Sequence, residues 1–164
     1  MDKKLLHAAE ALGDALKARS LRLATAESCT AGLISTALGA ASASSEFFTA
    51  GLVTYTNAAK HRILKVSKET LEIHSAVSEQ TVREMASGAQ QLAGVAVSLA
   101  ISGYAGPDGG EDGTPAGTIW FAWCLPEQQL ISRVKFFQGE PEDVIHAAAL
   151  FAMNSLTALL TGKD

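Results

Sequence analysis

A chain of 164 residues, 48% apolar and only 18% charged, is long and apolar enough to bury one continuous core, so a single domain spanning residues 1–164 is expected. The formal net charge of -4, with no cluster of Lys or Arg, argues against a nucleic-acid partner, because such a partner needs its phosphates neutralised. Two cysteines, Cys29 and Cys124, cannot form a disulfide framework, and nothing marks the chain for export, which points to the cytoplasm.

Helix and strand signals alternate along the chain. Leu5, Leu6, Ala9, Leu12 and Leu16 form an apolar stripe on a first helix, with Glu10, Asp14 and Lys17 interrupting it, so this segment reads as amphipathic and not as a signal peptide. Leu21 to Thr25 predicts a strand, Ala31 to Leu38 a helix, and Gly39 to Ser45 a small-residue loop. Gly51 to Thr56 is β-rich. Asn57 is a natural N-cap for a helix over 58–64, and Ser78 with Glu79 starts another that runs to about Leu92. The apolar run Val95 to Ile101 predicts a central strand covered on both faces, followed by a glycine-rich loop from Ser102 to Gly110. Gly117 to Cys124 and Gln129 to Phe137 predict a hairpin turning at Pro126 and Glu127. Pro141, with Glu142 and Asp143, opens a final helix to about Leu160. The order predicts a three-layer α/β/α domain with a mixed sheet. No uninterrupted apolar run approaches membrane-spanning length, so no membrane is expected.

Absent motifs narrow the chemistry. The loop after Ile101 has neither a P-loop nor a dinucleotide fingerprint, although glycine-rich loops at strand ends still form anion nests. His7, His61, His74 and His146 show no metal-ligand spacing, so neither a metal nor a cofactor is expected.

Two stretches concentrate reactive groups. In Thr25-Ala26-Glu27-Ser28-Cys29-Thr30-Ala31-Gly32, a carboxylate, a hydroxyl and a thiol meet at a turn between strand and helix. Unpaired N–H groups and the helix dipole there favour an anion or a developing oxyanion. The structural alternative is that Ser28 or Thr30 caps the helix and Cys29 is a small buried apolar residue. In the second stretch, Lys60 falls in the first turn of the helix after Asn57, where the dipole opposes an ammonium and lowers its pKa toward that of a usable base. Ser45, Tyr55 and Lys60 could supply nucleophile, relay and base. A core tyrosine and a solvated lysine are the alternative.

Ala26-Glu27-Ser28-Cys29-Thr30, Gly51 to Lys60, and Ser102-Gly103-Tyr104-Ala105-Gly106-Pro107-Asp108-Gly109-Gly110 together, in this order, closely resemble the CinA C-terminal domain family. The resemblance implies a serine and lysine amidohydrolase that converts nicotinamide mononucleotide to nicotinic acid mononucleotide and ammonia. It implies Ser45 as nucleophile, Lys60 as base, and Tyr55, Ser28 and Ser102 as supporting polar groups. Glu27, Cys29, Thr30, Gly103, Gly106 and His146 are expected around a pyridine-nucleotide substrate, in a homo-oligomer (dimer). Cys29 and Ser28 remain rival nucleophiles. The family pattern has glycine where this chain has Ala31 and Ala43, and arginines near Pro141 and Ile145. A catalytically silent nucleotide-binding or regulatory module is the second reading.

Overall fold

The computed structural model describes residues 1–163. Six α-helices and five strands follow in the order α1 (Lys3–Ala18), β1 (Leu23–Glu27), α2 (Leu33–Ala40), β2 (Phe48–Val53), α3 (Asn57–Leu64), α4 (Lys68–His74), α5 (Glu79–Ala93), β3 (Val97–Gly103), β4 (Thr118–Leu125), β5 (Gln129–Phe136) and α6 (Pro141–Thr161). Short 3-10 turns occupy Ser44–Glu46 and Pro126–Gln128. The strands form one sheet in the order β2-β1-β3-β4-β5. β1 pairs in parallel with β2 and β3, whereas β3-β4-β5 is an antiparallel meander. This is the mixed-sheet α/β domain that the alternating signals predict.

Strand alternation divides the core into two. Leu23, Val97, Leu99, Ile101, Ile119, Phe121 and Trp123 pack with α1, α2 and α6 on one face. Ala26, Ala100, Ala122 and Cys124 meet Val82, Met85, Ala86 and Ala89 of α5 on the other. The large residues fill the space under three helices, while the small ones let α5 lie close to the sheet. By length and composition α6 is apolar enough to cross a membrane, more so than the sequence reading allowed. In the fold that apolarity covers the sheet: Val144, Ala148, Ala149, Ala152, Met153, Leu156 and Leu160 are buried, and Trp123 Nε1 donates to the carbonyl of Ala152 at 3.1 Å.

Several boundaries shift from the expected ones for local reasons. α2 begins at Leu33, not Ala31, because Ala31 (φ 47°) and Gly32 (φ 100°) are left-handed and cannot continue a right-handed helix. β2 runs from Phe48 to Val53, ahead of the expected 51–56. Thr54 N–H makes the last bond to the Glu27 carbonyl, after which the chain turns away from the sheet. Thr56, not Asn57, caps α3 by accepting from Ala59 N–H at 3.1 Å. α4 lies outside the predicted elements; Ser67 caps it by accepting from Thr70 N–H.

Candidate active site

The chain leaves β1 in one direction to form β2 and later returns to form β3 on the other side. β1 is therefore the point where strand order reverses, and ligands of open α/β sheets sit outside the carboxyl ends of the strands at such a point. Ser28 directly follows β1, Ser102 and Gly103 end β3, and the residues after Val53 leave β2 at the same end.

The turn after β1 is held by Glu27, which is fully buried. Its Oε1 accepts from Thr30 Oγ1 (2.6 Å) and Ile34 N–H (3.0 Å), and its Oε2 from Ser35 N–H (2.9 Å) and Ser35 Oγ (2.6 Å). α2 has a glycine N-cap with no side-chain oxygen, so this carboxylate satisfies its first-turn donors and complements its dipole. Glu27 and Thr30, expected near substrate, therefore build the turn and lie outside the cavity lining. An anion expected at the start of α2 would find these donors already taken.

Lys60 is among the largest fully buried side chains, with 1% exposure. Its Nζ contacts the carbonyl oxygens of Thr54 (2.8 Å) and Tyr55 (3.0 Å) and Ser28 Oγ (2.8 Å). No carboxylate lies within ion-pair distance among the described residues. Burial lowers its pKa to about 8, with the neighbouring Cys29 opposing the shift slightly. The geometry suits both protonation states. A charged Lys60 donates to all three oxygens. A neutral one keeps two N–H bonds to the carbonyls and turns its lone pair to the Ser28 hydroxyl, which then donates. That is the arrangement a serine and its general base require.

A cavity of about 510 Å³ opens over this pair. Ser28, Cys29, Tyr55, Lys60, Ser102, Gly103 and Gly106 line it. Tyr55 is 64% exposed and its carbonyl, not its phenol, holds Lys60, so it is no core residue. Ser102 Oγ donates to Ala76 O at 2.8 Å. Burial pushes the Cys29 thiol up to about 12, which leaves it protonated and a poor nucleophile at neutral pH.

Two further expected placements need correction. Ser45 lies in the 3-10 turn before β2, exposed, with its carbonyl bonded to Arg22 at 2.9 Å. Lys60 lies beyond the other end of β2, so at about 3.3 Å per residue roughly 16 Å of strand runs between them. The structure thus does not form the Ser45–Lys60 pair; the hydroxyl on Lys60 belongs to Ser28. His146, expected at the substrate, instead meets the Asp2 carboxylate at 3.2 Å and is absent from the cavity lining. Sequence reasoning missed the carbonyls of Thr54 and Tyr55, which carry no residue-type signal, and Asp108, which the glycine-rich loop could have flagged.

The sequence profile of the CinA C-terminal domain matches residues 6–160. The chain belongs to the CinA C-terminal domain family. It is 51% identical over 150 residues to Protein YdeJ of Escherichia coli K12, covering 92% of this chain and 87% of that one. It is 44% identical over 156 residues to nicotinamide-nucleotide amidohydrolase PncC of Enterobacter agglomerans, covering 94% and 95%. A solved CinA superfamily protein from Klebsiella pneumoniae superposes with a TM-score of 0.94 at 46% identity, covering 96% and 98% of the two chains. Ala31 (φ 47°) and Ala43 (φ 53°), where the resemblance implies glycine, occupy left-handed backbone, where a methyl is strained.

Proposed function

We propose that this chain is an amidohydrolase that cleaves the carboxamide of nicotinamide compounds, in the mononucleotide to nicotinic acid mononucleotide and ammonia, with Ser28 as nucleophile and Lys60 as base. The observation that carries this reading is the buried Lys60 amine on Ser28 Oγ. Burying a lysine without a counter-charge costs stability, and a silent binding module has no use for a base aimed at a hydroxyl. The names of the PncC relatives support the reaction class.

In the proposed sequence, neutral Lys60 takes the Ser28 proton as Oγ attacks the carboxamide carbon. The carbonyl oxygen becomes an oxyanion. The N–H of Cys29, the residue after the nucleophile, makes no hydrogen bond to another residue among the described residues and is the donor available to that oxyanion. The Lys60 ammonium then protonates the departing nitrogen, the C–N bond breaks, and ammonia leaves an ester on Ser28. Lys60, neutral again, deprotonates a water that attacks the ester carbon. The second tetrahedral intermediate expels Ser28 Oγ, which recovers its proton from Lys60, and the carboxylic acid is released.

Ammonia release from nicotinamide mononucleotide and from nicotinamide riboside tests this. Ser28→Ala should reduce kcat by about 10³-fold or more on at least one of them, and Ser45→Ala should stay within a few-fold of wild type. Full activity in Ser28→Ala would refute the assignment.

A further inference from the structure

The cavity holds few charged groups, and the acids near its mouth outnumber its one cation. Among the described residues Lys60 is the only lysine or arginine in its lining, and its Nζ is already engaged by Ser28, Thr54 and Tyr55. Asp108 is the only lining carboxylate among the described residues. Ala76 and Tyr104 are shared with an adjoining concavity that carries Glu111 and Asp112 and no cationic side chain. On the α6 side the wall is Pro141 and Ile145. Glu140 and Asp143 close a capping box there, so the start of α6 is already satisfied by its own acids. A phosphate monoester carries about -1.5 to -2 charges at neutral pH. Along these walls it meets carboxylates and, apart from the Lys60 ammonium held deep by Ser28, Thr54 and Tyr55, no cation among the described residues. His61, Arg62 and Lys68 line a different concavity, together with Glu72.

A nicotinamide ring bonded to a sugar is a fixed cation, and Asp108 offers it a counter-charge. We propose that the site takes a phosphate-free pyridinium carboxamide, a nicotinamide riboside, in preference to the mononucleotide. This rests on the amidohydrolase reading of Ser28 and Lys60.

The test compares kcat/KM for ammonia release from the riboside and the mononucleotide in wild type, Asp108→Asn and Ile145→Arg. Calorimetric binding of both compounds to Ser28→Ala accompanies it. Wild type should favour the riboside at least tenfold, Asp108→Asn should reduce that ratio at least threefold, and Ile145→Arg should bring it below one. A wild-type ratio at or below one overturns the selectivity while leaving the amidohydrolase reading intact, and would send the phosphate toward Arg62 and Lys68. Tighter riboside binding with no turnover of either compound overturns the amidohydrolase reading and supports the selectivity. Neither turnover nor a binding preference overturns both.

Discussion

Burial of Lys60 has a consequence that can be read in rate and in stability. With a pKa of about 8, roughly a tenth of the molecules hold a neutral Lys60 at pH 7. An ordinary lysine, with a pKa of about 10.4, would be neutral in roughly one molecule in 2,500, so burial raises the population of competent base about 200-fold. The kcat/KM for carboxamide hydrolysis should therefore rise about tenfold per pH unit below pH 8 and level off above it. Lys60→Arg should remain inactive across the range, since arginine keeps its proton. Stability carries the same signature. The folded pKa lies below the unfolded one, so between about pH 8 and 10.5 the unfolded chain binds more protons, and the Lys60 contribution rises with pH across that window. Below pH 8 the full penalty of about 3 kcal/mol is present. Urea unfolding of wild type and Lys60→Met at pH 7 and at pH 10 isolates it: the difference should move in favour of wild type by about 2–3 kcal/mol at the higher pH. A rate that keeps climbing to pH 10, together with a pH-independent stability difference, would show Lys60 to be an ordinary lysine and refute the reasoning.

Relieving the left-handed alanines should stabilise the fold: Ala31→Gly and Ala43→Gly each by about 0.5–1 kcal/mol, the steric relief exceeding the added chain entropy, as read by thermal unfolding. Glu27→Gln replaces a carboxylate that accepts four hydrogen bonds and should cost about 2–3 kcal/mol of stability. It should lower kcat as well, because the Ser28 turn loses its anchor. Cys29→Ala should retain most activity, and iodoacetamide should label Cys29 slowly at pH 7, since its thiol is held near pKa 12; rapid labelling would contradict the buried environment.

Much of the fold was legible because the local signals agree with the packing. The Val97 to Ile101 run is apolar on both faces and lies in the middle of the sheet, and Pro141 with its acids starts α6 where expected. The turn at Ser28 and the early position of Lys60 in its helix were also legible. Their partnership was not, because it depends on two parallel neighbours ending side by side. Once β1 and β2 are known to be parallel, the choice is forced: Ser28 and Lys60 follow their strands, whereas Ser45 precedes one and must lie at the far end. The two carbonyls that hold Lys60 arise from the chain leaving the sheet at Thr54, a backbone event that residue types do not encode. His146 was misplaced for a related reason. It directly follows Ile145 of the cavity wall, but its ring turns to Asp2 at the start of α1.

The claim that Ser28 carries the reaction is tested most directly by locating the covalent intermediate. Wild-type protein mixed with whichever of nicotinamide riboside or mononucleotide it turns over, quenched in acid within the first turnover and digested with pepsin, should yield an acyl ester on the peptide containing Ser28, lost in Ser28→Ala and retained in Ser45→Ala. An ester on Ser45 or a thioester on Cys29 would contradict the account.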